Sequence, residues 1–82
     1  MRKSIHSSPY VVLRESLTQA RITAAVTQEG LAKDLGRPQS YVAKYETGDR
    51  RLDVVEFLEV CAVLDLDSEE ILHTVRKALF EQ

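Results

Sequence analysis

Apolar residues recur along this chain at spacings of three and four, the period of helices that bury one face. Val12, Leu13, Leu17, Ala20 and Ala24 form the first series. Ser8-Pro9 ahead of it reads as a helix start, with serine as N-cap and proline at the first helical position, where its missing N–H costs nothing. The first helix is therefore expected from about Pro9 to Ala24. Thr27 caps a short second helix that carries Leu31, Ala32 and Leu35 on one face and stops at Gly36. Pro38 cannot prolong that helix but fits the opening of a third, from about Gln39 to Thr47, which ends at Gly48. Val42 and Tyr45, three apart, are its expected buried stripe. Asp49-Arg50-Arg51-Leu52 is a charged loop. Asp53, with Glu56 three residues later, is the capping box of a fourth helix rich in apolar residues: Val54, Phe57, Leu58, Cys61, Val63 and Leu64. Asp67 or Ser68 caps a fifth, in which Ile71, Leu72, Val75, Leu79 and Phe80 make a wide apolar stripe. No segment reads as a strand, repeat or linker. The expected fold is all-α, a single five-helix domain over residues 9–82 behind a flexible arm at residues 1–8.

Composition narrows the function. A chain of 82 residues holds one domain, near the lower size limit for a self-sufficient core. No run approaches the ~18 apolar residues that span a bilayer, and the basic start has no apolar stretch behind it, so neither a membrane span nor a secretory signal is expected. The lone Cys61 has no partner for an internal disulfide and lies on an apolar stripe, which reads as a small core residue in a reducing, cytoplasmic setting. His6 and His73 fit no metal spacing, and the chain has no phosphate-binding glycine loop and no nucleophile with an evident base. Hence no metal, no cofactor and no enzyme activity are expected.

The charge is unevenly distributed. Residues 1–32 carry Arg2, Lys3, Arg14 and Arg21 against Glu15 and Glu29, a net of +2. Residues 33–51 carry Lys33, Arg37, Lys44, Arg50 and Arg51 against Asp34, Glu46 and Asp49, again +2. Residues 52–82 carry Arg76 and Lys77 against eight acids, a net of −6. The basic part would face a polyanion while the acidic part faces away; the plain alternative is a solubilising surface.

Thr27 to Gly48 is the informative unit: a helix, a short turn with glycine, and a helix, the supersecondary unit that places a reading helix in DNA. Ala32 is small enough for the two helices to cross closely, and Gly36 supplies a left-handed turn. With Val42 and Tyr45 turned inward, Gln39, Ser40, Ala43 and Lys44 point outward. An amide can pair bidentately with adenine, lysine can reach guanine or phosphate, and alanine can touch a thymine methyl.

The run Val26-Thr-Gln-Glu-Gly-Leu-Ala-Lys-Asp-Leu-Gly-Arg-Pro-Gln-Ser-Tyr-Val-Ala-Lys-Tyr-Glu-Thr-Gly48 resembles the helix-turn-helix of the Cro and phage-repressor (Xre-type) family of bacterial and phage transcriptional regulators. The resemblance extends over roughly Leu13 to Leu72. It implies a lambda-repressor-like domain in which Gln39, Ser40 and Lys44 face base edges in the major groove. It further implies Thr27 and Gln28 at the DNA backbone, with Gln28 packed on Gln39. Arg37 and Tyr41 would flank the reading residues, and Arg50 and Arg51 would grip phosphates. Arg21 and Glu46 match a largely buried salt bridge between the first and third helices. Two positions where the family usually has glycine are Ala25 and Asp65 here.

The fifth helix has more apolar residues near its end than a monomer of this size needs. Ile71, Leu72 and Val75 are expected to seal the core, while Val75, Leu79 and Phe80 meet a second subunit. The resulting expectation is a homodimeric repressor of double-stranded DNA, reading a palindromic operator with no small-molecule domain. An antitoxin or a restriction–modification controller with the same DNA-binding mode, and a protein-interaction adaptor on the same fold, are the alternatives. The acidic C-terminal third is the adaptor's best support.

Overall fold

A computed structural model describes residues 8–80. The arm expected at residues 1–8 lies, apart from Ser8, outside the described residues. Five helices follow one another: α1 (Pro9–Thr23), α2 (Gln28–Leu35), α3 (Gln39–Thr47), α4 (Val54–Val63) and α5 (Ser68–Phe80), with no strand among the described residues.

The helix starts follow from their caps. Thr27 Oγ1 accepts from the Gly30 N–H at 2.9 Å. Asp53 accepts from the Glu56 N–H at 2.7 Å while the Glu56 carboxylate accepts from the Asp53 N–H at 3.0 Å, so two orphan donors of the first turn are satisfied reciprocally. Asp67 Oδ1 takes the N–H of Glu69 at 3.0 Å, which places the fifth cap on Asp67. Ser8 occupies the N-cap of α1, but its side chain accepts no helix N–H; Pro9 alone, at the first position, sets that start.

Three helices end by the same device. The N–H of Val26 reaches the carbonyl of Arg21 (3.1 Å), that of Arg37 reaches Ala32 (2.9 Å), and that of Leu66 reaches Cys61 (2.8 Å). Each closure needs a left-handed residue just before the donor. Gly36 fills that place in α2 with φ of 70°, but Ala25 and Asp65 fill it after α1 and α4 with φ of 60° and 57°.

Leu17, Leu31, Ala32, Tyr41, Val42, Tyr45, Phe57, Val60 and Cys61 form the buried core, with Leu13, Val26, Leu35, Leu52, Leu64, Leu66 and Ile71 packed around it. Two expectations need correction. Tyr41 belongs to the core cluster: it precedes Tyr45 by one helical turn, so the two share a face and meet edge-on with ring centres 5.9 Å apart. Leu72 does not seal the core. The inward face of α5 is Ile71, Val75 and Ala78, and Leu72 sits with Leu79 and Phe80 on the exposed side. The apolar wealth of α4 is only partly buried, through Phe57, Val60 and Cys61, leaving Val54, Val55, Leu58 and Val63 exposed.

Candidate nucleic-acid interface

The α2–α3 pair is set by burial on one side and freedom on the other. Val42 and Tyr45 are fully buried and fix the rotation of α3 about its axis. That rotation leaves Gln39, Ser40 and Lys44 exposed, and none of their side chains makes a hydrogen bond or ion pair among the described residues. Donors and acceptors without internal partners on a rigid helix are free to read base edges. Ala43, between them, is half-buried.

From behind α3, α1 grips its C-terminal end with two arginines seven residues apart, hence on one face of α1. Arg21 Nε meets Glu46 Oε2 at 2.7 Å and Arg21 Nη2 meets Oε1 at 3.1 Å, with side chains 13% and 6% exposed. The same guanidinium donates to the Val26 carbonyl at 2.8 Å. The hydrogen-bonded Glu46 carboxylate raises the Arg21 pKa above its ordinary value against the opposing effect of burial. Gln28, read from the resemblance as a phosphate contact packed on Gln39, donates from Nε2 to Glu46 Oε1 at 2.9 Å and so joins the ion pair. Arg14 was not singled out by sequence. It donates to the carbonyl of Glu46 at 2.8 Å, satisfying an orphan acceptor in the last turn of α3. The available signal was its seven-residue spacing from Arg21.

The flanking arginines are organised by two tyrosines. The guanidinium carbons of Arg37 and Arg50 lie 4.6 and 4.5 Å from the Tyr41 ring centre, and that of Arg51 lies 4.3 Å from the Tyr10 ring centre. These distances are those of cation–π contacts. Tyr41, expected to flank the reading residues, is 7% exposed and supports Arg37 and Arg50 from below. Burial, and next the nearby Glu56, push its phenol pKa up against the two arginines. Arg50 is held bidentately by Glu56, at 3.1 and 2.8 Å, whereas Arg37 reaches Glu56 and Glu59 only at 3.5 and 3.4 Å. Glu56 is pushed down to about 2, first by the Arg50 hydrogen bonds and then by the Asp53 N–H. Thr27, the remaining expected backbone contact, is exposed at the start of α2 with its hydroxyl oxygen engaged as the cap. Sequence reasoning gave neither Tyr10 nor Glu59 a role, and gave Glu56 only the cap.

A family model described as a helix-turn-helix domain matches residues 12–73. A solved structure, an XRE-family like protein from Pseudomonas syringae pv. tomato str. DC3000, is 42% identical, with a TM-score of 0.81 and 89% of each chain covered. The chain belongs to the Xre-type helix-turn-helix family. A second solved structure, the wild-type restriction-modification controller protein C.Esp1396I, shares the fold at 18% identity, with a TM-score of 0.70 over 96% of this chain and 100% of that one. Among curated proteins nothing matches. This Xre-type domain has the fold of a DNA-binding transcriptional regulator. The segment matched by the family model holds every residue of this interface except Tyr10, and ends before Val75, Leu79 and Phe80. No helix of the described residues is long and apolar enough to cross a membrane.

Proposed function

We propose that this Xre-type protein is a cytoplasmic, homodimeric repressor that occupies a palindromic operator without catalysing a reaction on it. The observation that carries the reading is the outward face of α3, where Gln39, Ser40 and Lys44 are exposed without partners among the described residues, beside Arg37, Arg50 and Arg51. Gln39, Ser40 and Lys44 read base edges, while Thr27, Gln28 and the three arginines hold the phosphates, Tyr41 acting through the arginines it supports. The exposed stripe of Leu72, Leu79 and Phe80, edged by half-buried Val75, supports pairing through α5. Two-fold pairing sets reading helices one turn of DNA apart, ~34 Å, and so asks for a palindrome. A restriction–modification controller or an antitoxin would use the same surface and differ in its operator and neighbouring genes. The exposed Val54, Val55, Leu58 and Val63 of α4 favour a second reading, an adaptor that docks another protein.

Selection of bound duplexes from a random pool at two salt concentrations tests the proposal. Enrichment of a two-fold symmetric motif with half-sites ~10 base pairs apart supports it, together with a steep loss of affinity as salt rises. Absence of any enriched motif, with weak and wholly salt-sensitive binding, would point to the adaptor.

A further inference from the structure

The loop between α3 and α4 is tied to the far end of the chain by one side chain. Its backbone leaves α3 through Gly48, at φ of 92°, and the Arg50 N–H closes on the Lys44 carbonyl at 3.1 Å. Two residues later the Leu52 N–H needs an acceptor. It finds Tyr10 Oη at 2.9 Å, in the first turn of α1 and 42 positions away in sequence. The face of the same ring carries the guanidinium of Arg51, 4.3 Å from its centre. Tyr10 thus holds two consecutive loop residues with two different parts of itself, the oxygen fixing the backbone and the ring fixing the cation.

What remains unused at Arg51 gives this its meaning. A cation–π contact engages the charge of a guanidinium without using up its N–H donors, of which arginine has five. Among the described residues the Arg51 side chain forms no ion pair and donates no hydrogen bond, whereas both terminal nitrogens of Arg50 are committed to Glu56. Arg51 is exposed, so the donors face solvent. A planar guanidinium held over a ring with its donors uncommitted can meet two phosphate oxygens at once.

Resting on the DNA-binding reading above, we propose that Tyr10 is a positioning residue that presents Arg51 edge-on to a phosphodiester of the bound duplex. Tyr10 does not itself touch the nucleic acid; it sets the loop and the plane of the guanidinium before DNA arrives. Preorganisation of this kind lowers the ordering cost of the contact.

The experiment measures affinity for the selected duplex, and its salt dependence, in the full chain. The variants are Arg51→Ala, Arg51→Lys, Tyr10→Leu, Tyr10→Phe and the double change Tyr10→Leu/Arg51→Ala. Thermal melting establishes that each is folded. Arg51→Ala should weaken binding roughly three- to tenfold and reduce the salt slope by about one. Tyr10→Leu should approach the same loss, Tyr10→Phe should recover part of it because the ring face remains, and the double change should be no weaker than Arg51→Ala alone. Arg51→Lys asks the same question without altering Tyr10: lysine keeps the charge but lacks the planar, paired donors, so it should bind more weakly than wild type while keeping the salt slope. Wild-type affinity in Arg51→Lys, or additive losses in the double change, would overturn positioning by Tyr10 while leaving the DNA-binding reading intact. A folded wild-type protein that binds no duplex at low salt would overturn both.

Discussion

Arg14 lies against the bare α-carbon of Gly48, where an added methyl group would come within 3.2 Å of the arginine Nε. The guanidinium is held there by its hydrogen bond to the Glu46 carbonyl, so the end of α3 is closed by a side chain from α1. Gly48→Ala should therefore cost more than the left-handed strain of ~1–2 kcal/mol, because Arg14 must also move. At Gly36, with φ of 70° and nothing within 4 Å of the added atom, alanine should cost the strain alone, ~1 kcal/mol. Urea unfolding of the two variants, compared at unchanged m-value, measures the difference; equal costs would show that Arg14 gives way freely.

The closures after α1 and α4 hold residues that fit them poorly. Ala25 has φ of 60° and no side-chain oxygen to ease that conformation. Ala25→Gly should raise stability by about 0.5–1 kcal/mol, the relief of strain exceeding the entropy that glycine adds to the unfolded chain. Asp65→Gly should gain less, because aspartate tolerates the left-handed region better than alanine does. The ordering of the two midpoints in chemical denaturation is the test.

The Arg21–Glu46 pair should behave asymmetrically toward mutation. Glu46→Ala strips partners from both Arg21 and Gln28 and should lower stability by ~3 kcal/mol, the lower end of what breaking a buried pair costs, since Arg21 keeps the Val26 carbonyl. Replacing both, Arg21→Met with Glu46→Leu, should cost less than either single change to alanine. Calorimetric melting of the three variants decides; strictly additive losses would contradict the pairing.

Acid should loosen the α3–α4 loop through Glu56. Its folded pKa lies at about 2, below the ordinary 4.5. A carboxylate with a depressed folded pKa stabilises fully above its unfolded value, and that contribution disappears as pH falls from 4.5 toward 2. Glu56→Gln should melt lower than wild type at neutral pH, and the two melting curves should converge across that window. Parallel curves from pH 5 to 2 would show that Glu56 is not the group responsible.

The helices were legible because their signals are local. Thr27, Asp53 with Glu56, and Gly36 each act within a few residues, so a cap or stop seen in sequence is the same cap or stop in the structure. Ser8 shows the limit, since proline beside it suffices to start α1 and the hydroxyl is not called upon. The face of α3 was half legible: Val42 and Tyr45 define a stripe, but Tyr41 adjoins it, and an amphipathic ring at a face boundary fits either side of it. Whether Leu72 turns inward depends on the angle at which α5 meets α1, which no pattern within α5 records. The hold of Tyr10 on Leu52, and of Arg14 on Glu46, joins residues 42 and 32 positions apart, beyond any periodic signal. Tyr45 is a different kind of surprise. Its hydroxyl is the one buried side-chain polar atom among the described residues without a hydrogen-bond partner, a cost that phenylalanine would avoid.

The exposed end of α5 lies beyond the stretch that the family model describes, while the whole of α3 lies within it. If Leu79 and Phe80 join two copies, as proposed, the surface that chooses DNA and the surface that chooses a companion are free to diverge separately. Two such regulators in one cell would then be able to keep similar operators and still refuse to form mixed pairs, with a few apolar side chains at the end of one helix insulating one circuit from the other.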